Sequence, residues 1–161
     1  MMGKGGCVRL LWTGATAAGA ATRDWFGWLV LLWAASMAMD YAVGTLAALK
    51  RRDWNSAAAR EGLWHKGGMI LVVLVAAMTD LAVSLLLRTG MARLPFDRSV
   101  VLTATAMSWY TLTELGSTLE NVTRITSRVP PWLTRVLRRA ADAVDDAGDE
   151  LAPGKGADRD A

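Results

Sequence analysis

The chain has 161 residues, is 53% hydrophobic with a mean hydropathy of +0.25, and carries a formal net charge of +3. Its single cysteine, Cys7, excludes an internal disulfide and a Cys-rich metal site, and its single histidine, His65, excludes His-based triads and His clusters. The length suits one soluble domain, but the apolar residues are bunched into blocks with basic clusters between them, which is the layout of a membrane chain.

Residues 1–24 read as a flexible arm of small residues. Lys4 and Arg9 precede a weak apolar run, Leu10–Ala21, which Gly and Thr interrupt. It makes a poor signal peptide beside the stronger apolar block behind it.

That block, Trp25–Leu49, is the first of three predicted transmembrane helices. It holds one acid, Asp40, and two faces of small residues. Ala34, Ala38, Ala42 and Thr45 share one face at helical spacing; Ser36, Asp40, Gly44 and Ala47 share nearly the opposite one. Small residues let helices approach closely. Two such faces suit open-ended assembly, or one of them packs within the protomer.

The stretch Lys50–Gly68 reads as a basic loop with Trp54 in it. The second span, Met69–Leu87, is the cleanest, with Asp80 as its one charge. Met69–Ala77 has no polar residue over two and a half turns, whereas a soluble helix shows a polar face. A second loop carries Arg88, Arg93 and Arg98.

The third span, Ser99–Leu119, contains Glu114 and hydroxyl residues around much of its circumference: Thr103, Thr105, Ser108, Thr111, Thr113, Ser117 and Thr118. Hydroxyls bond back to helix carbonyls or to a neighbouring helix, so a span remains compatible with them. They suit either a lumen-facing surface or interhelical packing. All three blocks are about the 20 residues a membrane-crossing helix needs.

Residues 130–146 form a predicted amphipathic helix, with Pro131 in its first turn. Leu133, Val136, Leu137, Ala140, Ala141 and Val144 recur at helical period, with Arg135, Arg138 and Arg139 off that stripe. It suits either an anionic membrane surface or packing against another helix. Residues 147–161 read as a disordered acidic tail. Asp142–Ala161 holds seven acids and two bases, so anionic lipid would repel it.

Loop charge sets orientation. Lys50, Arg51, Arg52, Arg60 and Lys66 in the first loop join Arg124, Arg128, Arg135, Arg138 and Arg139 after the third span. The opposite side has Lys4, Arg9, Arg23, Arg88, Arg93 and Arg98. The bias predicts an outside N-terminus and a cytoplasmic C-terminus.

Four short patterns fall in order along these blocks. The first is Asp40-Tyr41-Ala42-Val43-Gly44; the second is Ser56, Gly62-Leu63 and Lys66. The third is Asp80, and the fourth is Thr113-Glu114-x-x-Ser117-x-x-Glu120-Asn121, followed by Pro130. Together they resemble the phage-lysis and toxin-secretion holin family over residues 30–139. The chain departs from that family's pattern at Val43 and Thr113, where the family has Thr and Asn, and at Thr126 and Arg128.

The resemblance implies a multi-pass protein of the bacterial cytoplasmic membrane that oligomerises and permeabilises it. A lysin or toxin then crosses, with no direct contact to the pore implied. The partners are therefore the lipid bilayer and further copies of the chain, with no cofactor and no nucleic acid. A second reading is a small regulatory membrane protein, an inhibitor of lysis or the anchor of a partner. An enzyme has no nucleophile–base set or metal cluster to stand on.

An acid at bilayer depth is costly and marks function by default. Asp40 and Glu114 are expected within one helical turn of each other in depth, and no Lys or Arg lies inside the three blocks to neutralise them. One expectation is a closed state in which both are neutral and hydrogen-bonded, with hydration and ionisation accompanying opening; the other is that they only cap polar packing or snorkel.

Overall fold

The computed structural model describes residues 25–90, 100–126 and 128–151. The expected arm at 1–24, Arg93 and Arg98, and the tail from residue 152 lie outside the described residues. Among the described residues there are four helices and no strand: α1 (Trp25–Arg51), α2 (Ser56–Arg88), α3 (Val101–Ile125) and α4 (Pro131–Leu151).

The helix boundaries follow local chemistry. Helix α1 ends in a Schellman motif: the Asp53 N–H bonds Ala48 O and the Arg52 N–H bonds Leu49 O, both at 3.1 Å. Arg52 takes the left-handed position with φ 59°, where glycine is usual. Asn55 then caps α2, its side-chain oxygen accepting from Ala57 N–H at 2.8 Å. The expected basic loop Lys50–Gly68 is thus a tight turn at residues 52–55, because a good N-cap and the Ala57-Ala58-Ala59 run start the helix early. Gly90, at φ 71°, follows the end of α2. Pro131 opens α4 at a position where its missing N–H costs nothing. Helix α4 also continues past the expected start of the tail, to Leu151.

Helix α3 is the centre of the bundle, packed against α1, α2 and α4, while α1 and α2 meet only sparingly. Its buried stripe is Thr103, Met107, Thr111, Glu114 and Thr118. Against it α1 turns Ser36, Met37 and Ala47, and α2 turns Met69, Val73 and Asp80. Helix α4 folds back antiparallel along α3, so that Gly148 lies against Thr105, near the start of α3. Leu133, Leu137, Ala140, Val144, Gly148 and Leu151 form its half-buried face.

The bundle is inverted relative to a soluble one. Ser36, Asp80, Thr103, Thr111, Glu114 and Thr118 are buried, whereas Ile70, Leu71, Leu74, Val75, Met78, Leu81, Leu85 and Leu86 of α2 are exposed. A contiguous apolar surface of that size on a lone chain marks a partner or a membrane. A polar interior under an apolar surface is what helices in lipid use to hold together. Helices α1 and α2 are long and apolar enough to cross a membrane; α3 is not among them.

Candidate functional site

Two polar ties hold the helices to one another, and each is built on an acid that the sequence marks as intramembrane. The first joins three helices at one ammonium. Lys66 on α2 pairs with Asp40 on α1 at 3.0 Å and with Glu114 on α3. The side chains are largely removed from solvent, 12% exposed for Lys66, 15% for Asp40 and 3% for Glu114. The other Asp40 oxygen accepts from Asn121 Nδ2 at 3.2 Å, and Asn121 Oδ1 in turn accepts from Arg124 at 3.1 Å.

This overturns the expectation that nothing neutralises Asp40 and Glu114. The two acids do come together, since both reach one nitrogen. The cation comes from a residue that the hydropathy pattern puts in a loop. Because α2 begins at Ser56, Lys66 is helical and one turn before Met69. Its long stem carries the charge into the bundle from the edge of the apolar zone. A charged group at the middle of a membrane helix costs about 2.5–3.5 kcal/mol. Pairing two acids with one ammonium removes much of that penalty, and Asn121 adds a further donor to Asp40.

Glycine at residue 44 has a reason here. A Cβ on Gly44 would lie 3.3 Å from Asn121 Nδ2, one turn beyond Asp40. The close approach of α1 to α3 places the amide against the carboxylate. Beside the tie a cavity of about 210 Å³ opens between α1 and α2. Asp40, Tyr41, Gly44, Gly62, Lys66 and Asn121 all line it, so the first, second and fourth sequence patterns converge in one place.

The second tie is at the other end of α3. Asp80, 4% exposed, accepts from Leu102 N–H at 3.1 Å, Thr103 N–H at 2.8 Å and Thr103 Oγ1 at 2.6 Å. Val100, the residue at the α3 cap position, makes no side-chain capping bond. A carboxylate from α2 therefore caps α3 in its place, meeting the orphan N–H groups and the positive end of the helix dipole. At the opposite end Lys50 bonds Ile125 O, a cation on the last carbonyls.

Other sequence-marked residues lie apart. Glu120 and Ser56 are exposed, Ser117 is half-buried, and Pro130 stands between α3 and α4. On α1 the Ser36–Asp40–Gly44–Ala47 face packs inward, while Ala34, Ala38 and Ala42 are exposed. Arg135, Arg138 and Arg139 are exposed on α4. Thr103, Thr111 and Thr118 are buried against neighbouring helices, Thr105, Ser108 and Ser117 are half-buried, and Thr113 is exposed.

The sequence profile described as the bacteriophage holin family matches residues 19–142, about three quarters of the chain. Neither the curated proteins nor the solved structures yield a match.

Proposed function

The chain belongs to the bacteriophage holin family, and from that premise we propose that it oligomerises in the bacterial cytoplasmic membrane and opens it to a lysin or a toxin. The inverted bundle carries this reading: an apolar outer surface on α2 around a core that sets hydroxyls, Lys66 and three acids among Met37, Met69, Val73 and Met107. Such a protomer is stable in lipid and has little reason to stay in water.

Three spans are proposed, formed by α1, α2 and α3. Helix α3 reaches lipid only where its neighbours leave it uncovered, so its hydroxyls are compatible with membrane depth. The loop charges favour an outside N-terminus, with the turn at 52–55 and the Arg-rich α3–α4 junction in the cytoplasm. The exposed Ala34, Ala38 and Ala42 face is the proposed contact between copies.

Controlled expression in a bacterium with two reporters tests the proposal, one a small impermeant dye and the other a folded cytoplasmic enzyme. The expected result is a delay, then abrupt loss of both barriers. Membrane-inserted protein that leaves both barriers intact overturns it. A harmless protein that postpones lysis by another holin would assign the inhibitor role instead.

A further inference from the structure

Helix α3, whose hydroxyls make it the obvious wall of a lumen, packs against α1, α2 and α4, with Thr103, Thr111 and Thr118 buried and Thr113 its one fully exposed hydroxyl among the seven. One exposed hydroxyl makes a narrow wall, and a second surface is available to meet water in the open state. Helix α4 supplies one. It has 21 residues, about 31 Å of helix, which matches a hydrocarbon core of about 30 Å. It runs antiparallel beside α3, and its far end closes a groove of about 400 Å³ together with Val72, Val75 and Ala76 of α2 and Thr105 and Trp109 of α3. Those α2 residues belong to the apolar run Met69–Ala77. The acidic end of α4 thus lies level with the lipid-facing part of α2.

The outward face of α4 is unsuited to lipid at that depth. Arg135, Arg139, Asp142, Asp146 and Asp149 recur at spacings of four, three, four and three, one ridge opposite the packed stripe. All five are exposed. A helix with one face packed on α3 and a charged ridge on the other can sit at membrane depth only if the ridge faces water.

We propose that α4 lines the lumen of the assembled pore, and that its Asp142–Asp146–Asp149 ridge makes the pore prefer cations. This rests on the pore reading of the preceding subsection and adds to it which helix meets the water and which charges select. Repeated around the assembly, the three acids form rings at one end of the lumen, and Arg135 and Arg139 form rings at the other. Rings of carboxylates favour cations and rings of arginines favour anions, and here three acidic rings stand against two basic ones. The family match stops at residue 142, so Asp146 and Asp149 are features of this chain beyond the matched region. The C-terminal end of α4 reaches the far face through water, not through lipid, which revises the cytoplasmic C-terminus expected from loop charge.

The test uses the full chain in planar bilayers under a salt gradient. Wild-type conductance should favour potassium over chloride. The Asp142→Lys/Asp146→Lys/Asp149→Lys variant should lower that permeability ratio by about fivefold or invert it. A second measurement guards against misfolding of the triple variant. In a Cys7→Ser background, Asp146→Cys should be blocked by an impermeant thiol reagent, and Val144→Cys, on the packed face, should not. Conductance with unchanged selectivity and no block at Asp146→Cys overturns the assignment of α4 while leaving the pore intact. Absence of wild-type conductance overturns both.

Discussion

Replacing Lys66 by Met isolates what the shared ammonium contributes. The variant keeps the length and packing of the stem and deletes the charge. Asp40 retains one donor, Asn121 Nδ2 at 3.2 Å, whereas Glu114 has no other hydrogen-bond partner among the described residues. Removing one member of a buried ion pair costs about 3–5 kcal/mol, chiefly because the partner charge is left uncompensated. Here the penalty falls on Glu114, 3% exposed, and puts Lys66→Met at the upper end, about 4–5 kcal/mol. Adding Glu114→Gln removes the stranded charge and should recover about 2–3 kcal/mol, within the range of coupling energies for residues in one network. Adding Asp40→Asn as well should bring the triple variant within about 1–2 kcal/mol of wild type, since neutral amides still bond to one another. The assay is reversible denaturant unfolding in mixed micelles, followed by circular dichroism. If Lys66→Met lies within about 0.5 kcal/mol of wild type, or if Glu114→Gln adds to its damage, the ammonium does not hold the helices as described.

The second tie predicts that Asp80→Ala, which strands two N–H groups and a hydroxyl, costs about 2–3 kcal/mol and speeds hydrogen exchange at Leu102 and Thr103. Asp80→Asn keeps an acceptor and should lose about half as much. Arg52→Gly should stabilise the chain by about 1 kcal/mol in the same unfolding assay, because Arg52 holds φ at 59° where glycine is unstrained. Ala38→Trp, on the exposed face of α1, should leave unfolding of the protomer within about 0.5 kcal/mol. It should also remove the higher oligomers from a cross-linking ladder. Intact ladders would shift the contact between copies to another surface.

Much of this arrangement is legible in the order of the residues alone. The apolar blocks locate the helices, and the acids Asp40, Asp80 and Glu114 stand out by their cost. What those residues do is harder to read. Lys66 looks like part of a basic loop because the hydropathy of the second block begins only at Met69. The signal that places it on the helix is local: Asn55 as a cap, then Ser56 and three alanines. Once the helix starts there, Lys66, Met69, Val73 and Asp80 fall on one face, which is the face α2 turns to α3. Asp80 as a cap is hidden for a different reason. A cap is ordinarily sought next to its helix, and this one comes from another helix across the bundle. The orphan N–H groups of α3 are implied by any helix, but their partner is a tertiary fact.

The hydroxyl-rich α3 shows most directly how the environment reverses a familiar rule. In water the most apolar helix goes to the centre. Here the order is inverted: α2, with the higher hydropathy of the two helices apolar enough to cross a membrane, leaves many of its large apolar side chains exposed, and α3, outside that set, packs against all three other helices. Between helices in lipid there is no hydrophobic gain to be had, since the tails are as apolar as leucine. Contact is driven instead by close packing and by polar groups that have no other partner, and α3 is where those groups are concentrated. Its Thr103 and Glu114 are each taken up by a side chain from α2. A helix sheathed by three others does not need the hydropathy of one that meets lipid. Low hydropathy in α3 therefore argues for a central place in the bundle and not against membrane depth.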